Sequence, residues 1–341
     1  LVLKLPRVSQ NTPRRLTARV MAHALAVNPL FLLTLAEELR LFGEHEQLSR
    51  RLDYYLNSLT VDDLFERVLE RIEQDYGAEI LRKIMVALWA TRTGLRDEEI
   101  LGYTDLKPMH WAYIRNALGP TLIGASGRLI FAHDYMRIAV SDRYMAGNNT
   151  IGYEGQSKEA LDLRRTAHRR LGQWFEGDAF KDGQSIVSLE RAAEEIPYQW
   201  REAGDWKALR SALTRKDMFV GILGHLGEGE LLTYWLSLEE HTKTDIASEY
   251  EAAWKSWRLS KADDQTGGIA WMLAEFLSYA GRYGDFTERL YRLRLELQEK
   301  ALGPDHPDVG TNLGDLGLLL KNKGDYDGAE PLLRRALEIR K

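Results

Sequence analysis

Residues 79–145 read EILRKIMVALWATR (Glu79–Arg92), TGLRDEEILGYTDLK (Thr93–Lys107), PMHWAYIRNALGP (Pro108–Pro120), TLIGASGRLIFAHD (Thr121–Asp134) and YMRIAVSDRYM (Tyr135–Met145). In the first piece Ile80, Ile84 and Leu88 form a stripe at helical spacing with Leu81 and Met85 beside it, which predicts a helix burying one face. Thr93-Gly94 ends that helix. A short helix is expected over Arg96–Leu101, and Pro108 opens another in which Trp111, Ile114 and Leu118 share a face before Gly119-Pro120 stops it. Thr121-Leu122-Ile123 and Leu129-Ile130-Phe131, joined by Gly124-Ala125-Ser126-Gly127, predict a β-hairpin. Phe131-Ala132-His133-Asp134 then leads into a closing helix to Tyr144, which sets His133 at a strand-to-helix corner.

Three helices, a hairpin and a closing helix in that order predict a winged helix over residues 79–146, the hairpin being its wing. The expected fold class is mainly α: a helical lid over 1–78, the winged helix, and an α-solenoid of helical hairpins behind it. With 341 residues, 44% hydrophobic and 28% charged, the chain is long enough for more than one core. No apolar run approaches the roughly 20 residues that span a bilayer, and the N-terminus lacks the order of a signal peptide. Cysteine is absent, which excludes disulfides, thiolate metal sites and cysteine nucleophiles and accords with a cytoplasmic location. A net charge of -5 argues against a broad nucleic-acid surface. Beginning at Leu1 without methionine and ending at Lys341 inside a helical pattern, the chain is expected to be part of a longer protein.

Upstream, Arg14–Ala26 reads as a helix, and Asn28-Pro29 starts a second, because asparagine caps free N–H groups and proline at the first helical position needs none. Its apolar face is Leu30-Phe31-Leu32-Leu33 and Leu35, and it runs through Glu37-Glu38-Leu39-Arg40 to Gly43. Thr60-Val61-Asp62-Asp63 resembles a capping box ahead of Leu64, Val68 and Ile72, a helix that ends near Gly77.

Downstream, Ala146 to Ser157 is polar and glycine-bearing, a loop. Helices resume at Lys158 with the amphipathic run through Arg165, His168, Leu171, Trp174 and Phe175; a loop over Gly177–Gln184 and a helix over Leu189–Trp200 follow. Ala203-Gly204-Asp205-Trp206, Ala280-Gly281-Arg282-Tyr283 and Lys323-Gly324-Asp325-Tyr326 then repeat one punctuation between amphipathic helices, which predicts stacked hairpins. Residues 147–225 are expected to be a helical linker with a degenerate hairpin, and 226–341 the repeats, clearest over 301–341.

In that last stretch Leu316, Gly317, Leu320, Gly324, Tyr326, Ala329, Leu333 and Ala336 stand at tetratricopeptide spacing, small residues where helices touch and large ones filling the gap. Ala301-Leu302-Gly303-Pro304-Asp305-His306-Pro307-Asp308-Val309, followed by Gly328-Ala329-Glu330-Pro331-Leu332, resembles the longer tetratricopeptide repeat first known from kinesin light chains.

A second resemblance lies in the N-terminal half. Asn28-Pro29-Leu30-Phe31-Leu32, Glu37-Glu38-Leu39-Arg40, Asp63-Leu64-Phe65-Glu66-Arg67-Val68-Leu69 and Phe131-Ala132-His133-Asp134 are similar to the part of STAND-class, NACHT-like NTPases that follows their P-loop domain. Nephrocystin-like proteins and bacterial relatives share this order, with tetratricopeptide repeats behind it. The resemblance implies a nucleotide, ATP or ADP with Mg, clamped between a preceding P-loop domain and the lid plus winged helix. ADP would hold a closed form and ATP permit an open, homo-oligomerising one. By position, Pro29 would pack on the adenine and His133 would reach the ADP β-phosphate; the plainer roles are helix initiation for Pro29 and a capping or buried strand-end histidine for His133. Ala132 departs from the methionine that many relatives carry there.

The phosphate site itself is missing from this sequence. Gly-Lys occurs nowhere, so no G-x-x-x-x-G-K-[ST] loop exists, and Val61-Asp62-Asp63 sits at a helix start, unlike a Walker B strand. This stretch alone is expected neither to hydrolyse ATP nor to bind a nucleotide by itself, only to furnish half of a pocket. His45-Glu46 lacks the second histidine of a zinc-protease helix, and the histidines besides His45 and His133 show no ligand spacing. Gly124-Ala125-Ser126-Gly127 is a turn, lacking the spacing of a nucleophile elbow. The acidic pairs Glu37-Glu38 and Glu194-Glu195 read as solvated helix faces, and the nine tryptophans as packing.

The expected function is therefore regulatory: lid and winged helix gate ADP/ATP exchange while the repeats bind a partner protein or peptide. Two alternatives remain open. One is an interaction scaffold without nucleotide dependence. The other is a winged-helix transcription regulator reading DNA through Pro108–Leu118, whose cations Lys107, His110 and Arg115 are few beside Trp111, Ile114 and Leu118.

Overall fold

Asparagine before proline is a strong helix start, and Asn28 performs it: its Oδ1 accepts from the backbone N–H groups of Leu30 and Phe31 at 2.9 and 3.4 Å. The computed structural model in which this is seen describes residues 11–41, 48–146, 157–180, 185–257, 259 and 264–341. The proposed end at Gly43, the pair His45-Glu46, most of the loop over 146–157 and residues 181–184 lie outside the described residues. The chain divides into two units, Leu1–Ile186 and Val187–Lys341.

The first unit opens with α1 (Asn11–Met21), a 3₁₀ turn over Ala24–Val27, α2 (Pro29–Leu41) and α3 (Leu48–Leu56), the last not anticipated from the sequence. Then comes α4 (Val61–Tyr76), whose first turn is capped by Thr60 Oγ1 accepting from Asp63 N–H at 3.2 Å. Phe31 and Leu35 of α2, Leu52 and Tyr55 of α3, and Leu64, Phe65, Val68, Leu69 and Ile72 of α4 are all buried. The predicted stripes thus form one core.

Next are α5 (Ala78–Ala90), α6 (Asp97–Thr104) and α7 (Pro108–Leu118), with Pro108 at the first position and Trp111, Ile114 and Leu118 buried as spaced. The hairpin is tighter than the sequence implies. Strands β1 (Leu122–Ala125) and β2 (Arg128–Phe131) pair Leu122 with Phe131 and Ala125 with Arg128. Only Ser126 and Gly127 turn, at φ of 51° and 76°, the two positive values a type I′ turn demands. Leu95 adds a third edge, exchanging backbone hydrogen bonds with Leu129 at 3.1 and 2.7 Å. Gly94 makes that possible, because at φ 91° a β-carbon would stand 2.6 Å from the Leu129 carbonyl oxygen. Helix α8 (Asp134–Tyr144) closes the segment and α9 (Lys158–Trp174) packs on α5.

The second unit is helical among its described residues: α10 (Leu189–Glu202), α11 (Trp206–Leu213), α12 (Lys216–His225), α13 (Glu228–His241), α14 (Ile246–Ser256), α15 (Asp264–Tyr279), α16 (Asp285–Leu302), α17 (Pro307–Lys323) and α18 (Tyr326–Ile339). Its middle is aromatic. Trp235 Nε1 donates to Tyr250 Oη at 3.1 Å, Tyr250 Oη to the Leu213 carbonyl at 3.2 Å, and the rings of Phe219 and Phe276 meet Tyr250 edge-on. Of the nine tryptophans, Trp89, Trp111, Trp174, Trp200 and Trp235 are buried, while Trp271 is exposed.

The three repeated punctuations share one geometry. Gly204, Gly281 and Gly324 all have positive φ, at 65°, 72° and 87°. After each, the next N–H reaches five residues back: Asp205 to Trp200 O at 3.0 Å, Arg282 to Leu277 O at 2.8 Å, Asp325 to Leu320 O at 2.9 Å. These are Schellman caps, and glycine is needed there for the left-handed backbone. Asp205 and Asp325 then cap the following helix, accepting from Ala208 and Gly328 N–H at 3.1 and 2.9 Å. In the last hairpin Leu316, Leu320, Ala329 and Ala336 are buried, and a β-carbon on Gly317 would lie 2.7 Å from Leu333 Cγ. Tyr326 departs from the expected packing role, being 67% exposed at the start of α18.

Candidate functional site

Pro29 heads α2 and is exposed, while the capping work there falls to Asn28. Its neighbourhood is apolar and open: Val27 is 89% and Leu33 53% exposed. His23 closes the other side, accepting from Leu25 N–H through Nδ1 at 3.2 Å with its ring stacked on Phe31 at 5.1 Å. His133 occupies the N-cap position of α8 with extended backbone (φ -147°, ψ 149°), and its imidazole makes no capping hydrogen bond. The side chain is exposed. Neither plainer role for this histidine, cap or buried strand-end residue, describes it.

Both helices are fastened to α4 near their C-terminal ends. Glu38 of α2 is 5% exposed and takes a bidentate ion pair from Arg71, Nε to Oε2 at 2.6 Å and Nη2 to Oε1 at 3.0 Å. Tyr55 Oη also donates to Glu38, and Arg71 Nη2 continues to the Ala117 carbonyl at 3.2 Å, so α2, α3, α4 and α7 meet at one buried group. Burial first, then the Glu38 charge, pushes the Tyr55 phenol well above its usual range and keeps it a donor. Two residues along α4, Glu73 receives Arg143 Nε at 2.8 Å and Tyr144 Oη at 2.6 Å, both from α8. The hydrogen bond from Arg143 is the main reason the Glu73 carboxyl lies below the ordinary glutamate value, with burial opposing it.

Glu37-Glu38 is therefore not a wholly solvated pair, nor is Glu194-Glu195. In the second unit Glu195 is fully buried and accepts from Arg191 Nη1 at 2.8 Å and Gln199 Nε2 at 2.8 Å, while Glu194 faces Arg191 and His225. Adjacent residues diverge by about 100° on a helix, and that divergence lets one glutamate turn inward and meet an arginine. A signal was present. Glu38 falls on the Phe31–Leu35 stripe and Arg71 on the Leu64–Val68 stripe, charges of opposite sign on two faces otherwise apolar.

The surface that would read DNA offers little free charge. On α7, Met109 and Tyr113 are 63% and 57% exposed, and Arg115 is held by Asp97 at 2.5 Å. Among the described residues no group of three His, Asp or Glu side chains is placed to hold a metal ion, and no helix is long and apolar enough to cross a membrane.

Residues 266–341 match the tetratricopeptide repeat family. A TPR repeat-containing protein of Dictyostelium discoideum is 23% identical over 375 aligned residues, covering 92% of this chain and 21% of its own length. Nephrocystin-3 of Xenopus laevis is 24% identical, covering 92% of this chain and 24% of its own length. Tetratricopeptide repeat protein 41 of Rattus norvegicus is 24% identical over 55% of this chain. The chain spans about a quarter or less of the length of these relatives. Its α15–α18 segment is thus a run of tetratricopeptide repeats, on the match over 266–341 and on relatives that carry the same repeat.

Proposed function

We propose that this chain is the regulatory and sensing part of a signal-transducing STAND, NACHT-like ATPase, with residues 1–78 as lid, 79–146 as winged helix, 147–225 as linker and 226–341 as repeats. The observation that carries it is the state of His133: an exposed imidazole at a strand-to-helix corner, without a capping bond, on a helix anchored through Glu73. The third edge made by Leu95 supports the winged-helix assignment. Alignments that reach beyond the repeats to 92% of the chain support the order of the parts.

Pro29 and His133 fit a nucleotide in chemistry. A flat apolar ring at an open helix start offers a base a face with no unsatisfied donor, and an exposed imidazole can donate to a phosphate, more strongly when protonated. ADP, when bound, supplies the anionic diphosphate and the planar base; Mg and the remaining phosphate contacts belong to the preceding P-loop domain. His133 would hold the closed state by that hydrogen bond, and the repeats would bias the same two-state element through a bound protein or peptide. Activation would release an oligomerising form.

The test is His133→Ala in the full-length protein. ADP retained through purification should fall and basal activity rise, and unchanged ADP occupancy would remove the role. A coding sequence upstream of Leu1 without a P-loop would leave the second reading, a scaffold that works through its tetratricopeptide repeats alone, which the match over 266–341 favours by itself. The DNA-reading alternative is disfavoured by the pairing of Arg115 with Asp97.

A further inference from the structure

Several guanidinium groups of the first unit are matched by carboxylates: Arg40 by Glu37, Arg67 by Asp63, Arg71 by Glu38, Arg115 by Asp97 and Arg143 by Glu73. Arg82 and Lys83 of α5 and Arg170 of α9 have no carboxylate partner among the described residues. They line one pocket of about 410 Å³ together with Tyr103 of α6 and Tyr144 of α8. Glu79 is the single carboxylate of that lining. Lys83 Nζ stands 5.2 Å from the centre of the Tyr103 ring, and Tyr103 is held in place by an edge-on contact with Trp174 at 5.8 Å.

Three cations against the single carboxylate of Glu79 leave the lining with an excess of positive charge, which an anion entering the pocket would offset. The volume lies within the range of small-ligand sites, roughly 300–1,000 Å³, and exceeds what a lone oxyanion needs. The aromatic wall gives the excess a use, since a flat ring can stack there. Burial raises the Tyr103 phenol above its usual value and leaves it protonated, able to donate. The pocket is separate from His133. That residue precedes the first turn of α8 and Tyr144 ends the same helix, about 16 Å away at 1.5 Å per residue.

We propose that this pocket binds a small phosphate monoester carrying a flat ring, the class that includes mononucleotides, with Arg82, Lys83 and Arg170 around the phosphate and Tyr103 against the ring. It stands whether or not the nucleotide reading of His133 holds.

Isothermal titration of the chain with AMP, phenyl phosphate and inorganic phosphate tests it, at low and at physiological salt. The ring-bearing esters should bind with one site per chain and inorganic phosphate more weakly. Lys83→Gln combined with Arg170→Gln, both exposed positions, should weaken ester binding by about tenfold or more, the loss of a charge-assisted contact. Tyr103→Leu should weaken the esters and leave inorganic phosphate unchanged. Binding of phenyl phosphate without AMP would support an aryl rather than a nucleoside source. The proposal is overturned if none of the three probes gives saturable binding, if the double substitution leaves affinity unchanged, or if inorganic phosphate binds as well as both esters.

Discussion

The helices around α4 and the α17–α18 hairpin are held by different physics. Around α4 the contacts join residues far apart in sequence through charge: Glu38 with Arg71, Arg71 with the Ala117 carbonyl, Glu73 with Arg143, separations of 33, 46 and 70 residues. In α17–α18 they join neighbouring helices through shape: Gly317 admits Leu333, and Val309, Leu313 and Ala336 cluster with Ile339 at the far end. Buried charge makes an arrangement specific, because each partner is costly without the other. Small-residue packing makes an arrangement repeatable, because each hairpin needs only the next.

Glu38→Ala would break the first kind most severely. It leaves Arg71 with the half-exposed Asp75 carboxylate at 3.1 Å and the Ala117 carbonyl, and a loss of about 3 kcal/mol, the low end for a broken buried pair, is expected, readable as a fall in denaturant midpoint for the first unit. Replacing Glu38 and Arg71 together by apolar residues should recover much of it, and a double-mutant cycle without coupling would contradict the contrast drawn here.

Gly317→Val probes the second kind. Overpacking against Leu333 should cost about 1–3 kcal/mol and raise hydrogen exchange in α17 and α18 while leaving the aromatic centre at Trp235 and Tyr250 protected. Exchange that rose uniformly through the second unit would show the hairpin to be less independent than its contacts imply.

A smaller and pH-dependent effect belongs to Glu73. Its folded value is depressed, so its contribution is fully present above the ordinary glutamate value of 4.5 and is lost as pH falls through the lowered one. Glu73→Gln should cost roughly 1.5–3 kcal/mol at neutral pH and flatten the acid limb of the stability curve, which thermal melts between neutral and acid pH would record. The smallest effect on folding is expected at His133. His133→Ala, at an exposed residue without a capping bond, should shift stability by no more than about 0.5 kcal/mol, so that any change in nucleotide retention can be assigned to contact rather than to unfolding.

What the sequence made legible follows the same division. Local rules placed Pro108, the apolar stripes of α4, α5 and α7, and the glycine punctuation, because each depends on residues within one or two turns. They missed α3 and Leu95 as a third edge, which are fixed by partners elsewhere in the chain. They drew the hairpin turn two residues too long, since Ala125 and Arg128 pair only once Ser126 and Gly127 take left-handed backbone. His133 and Pro29 are proposed from their place in a motif; Arg71 and Glu73, which hold neighbouring helices to α4, were not singled out. A lone charge on an apolar stripe announces a partner without naming it, and Arg71 needed Glu38 from a different helix to be explained.

The spacing of Arg71 and Glu73 has a mechanical consequence. Two residues on an α-helix are turned by about 200°, so α4 is pinned from nearly opposite sides, by α2 through Arg71 and by α8 through Glu73. A helix held that way behaves as an axle: it cannot roll toward one neighbour without wrenching its grip on the other. A pull along α2 is therefore felt as torque at the C-terminal end of α8, where Arg143 sits, with no contact between the two helices required.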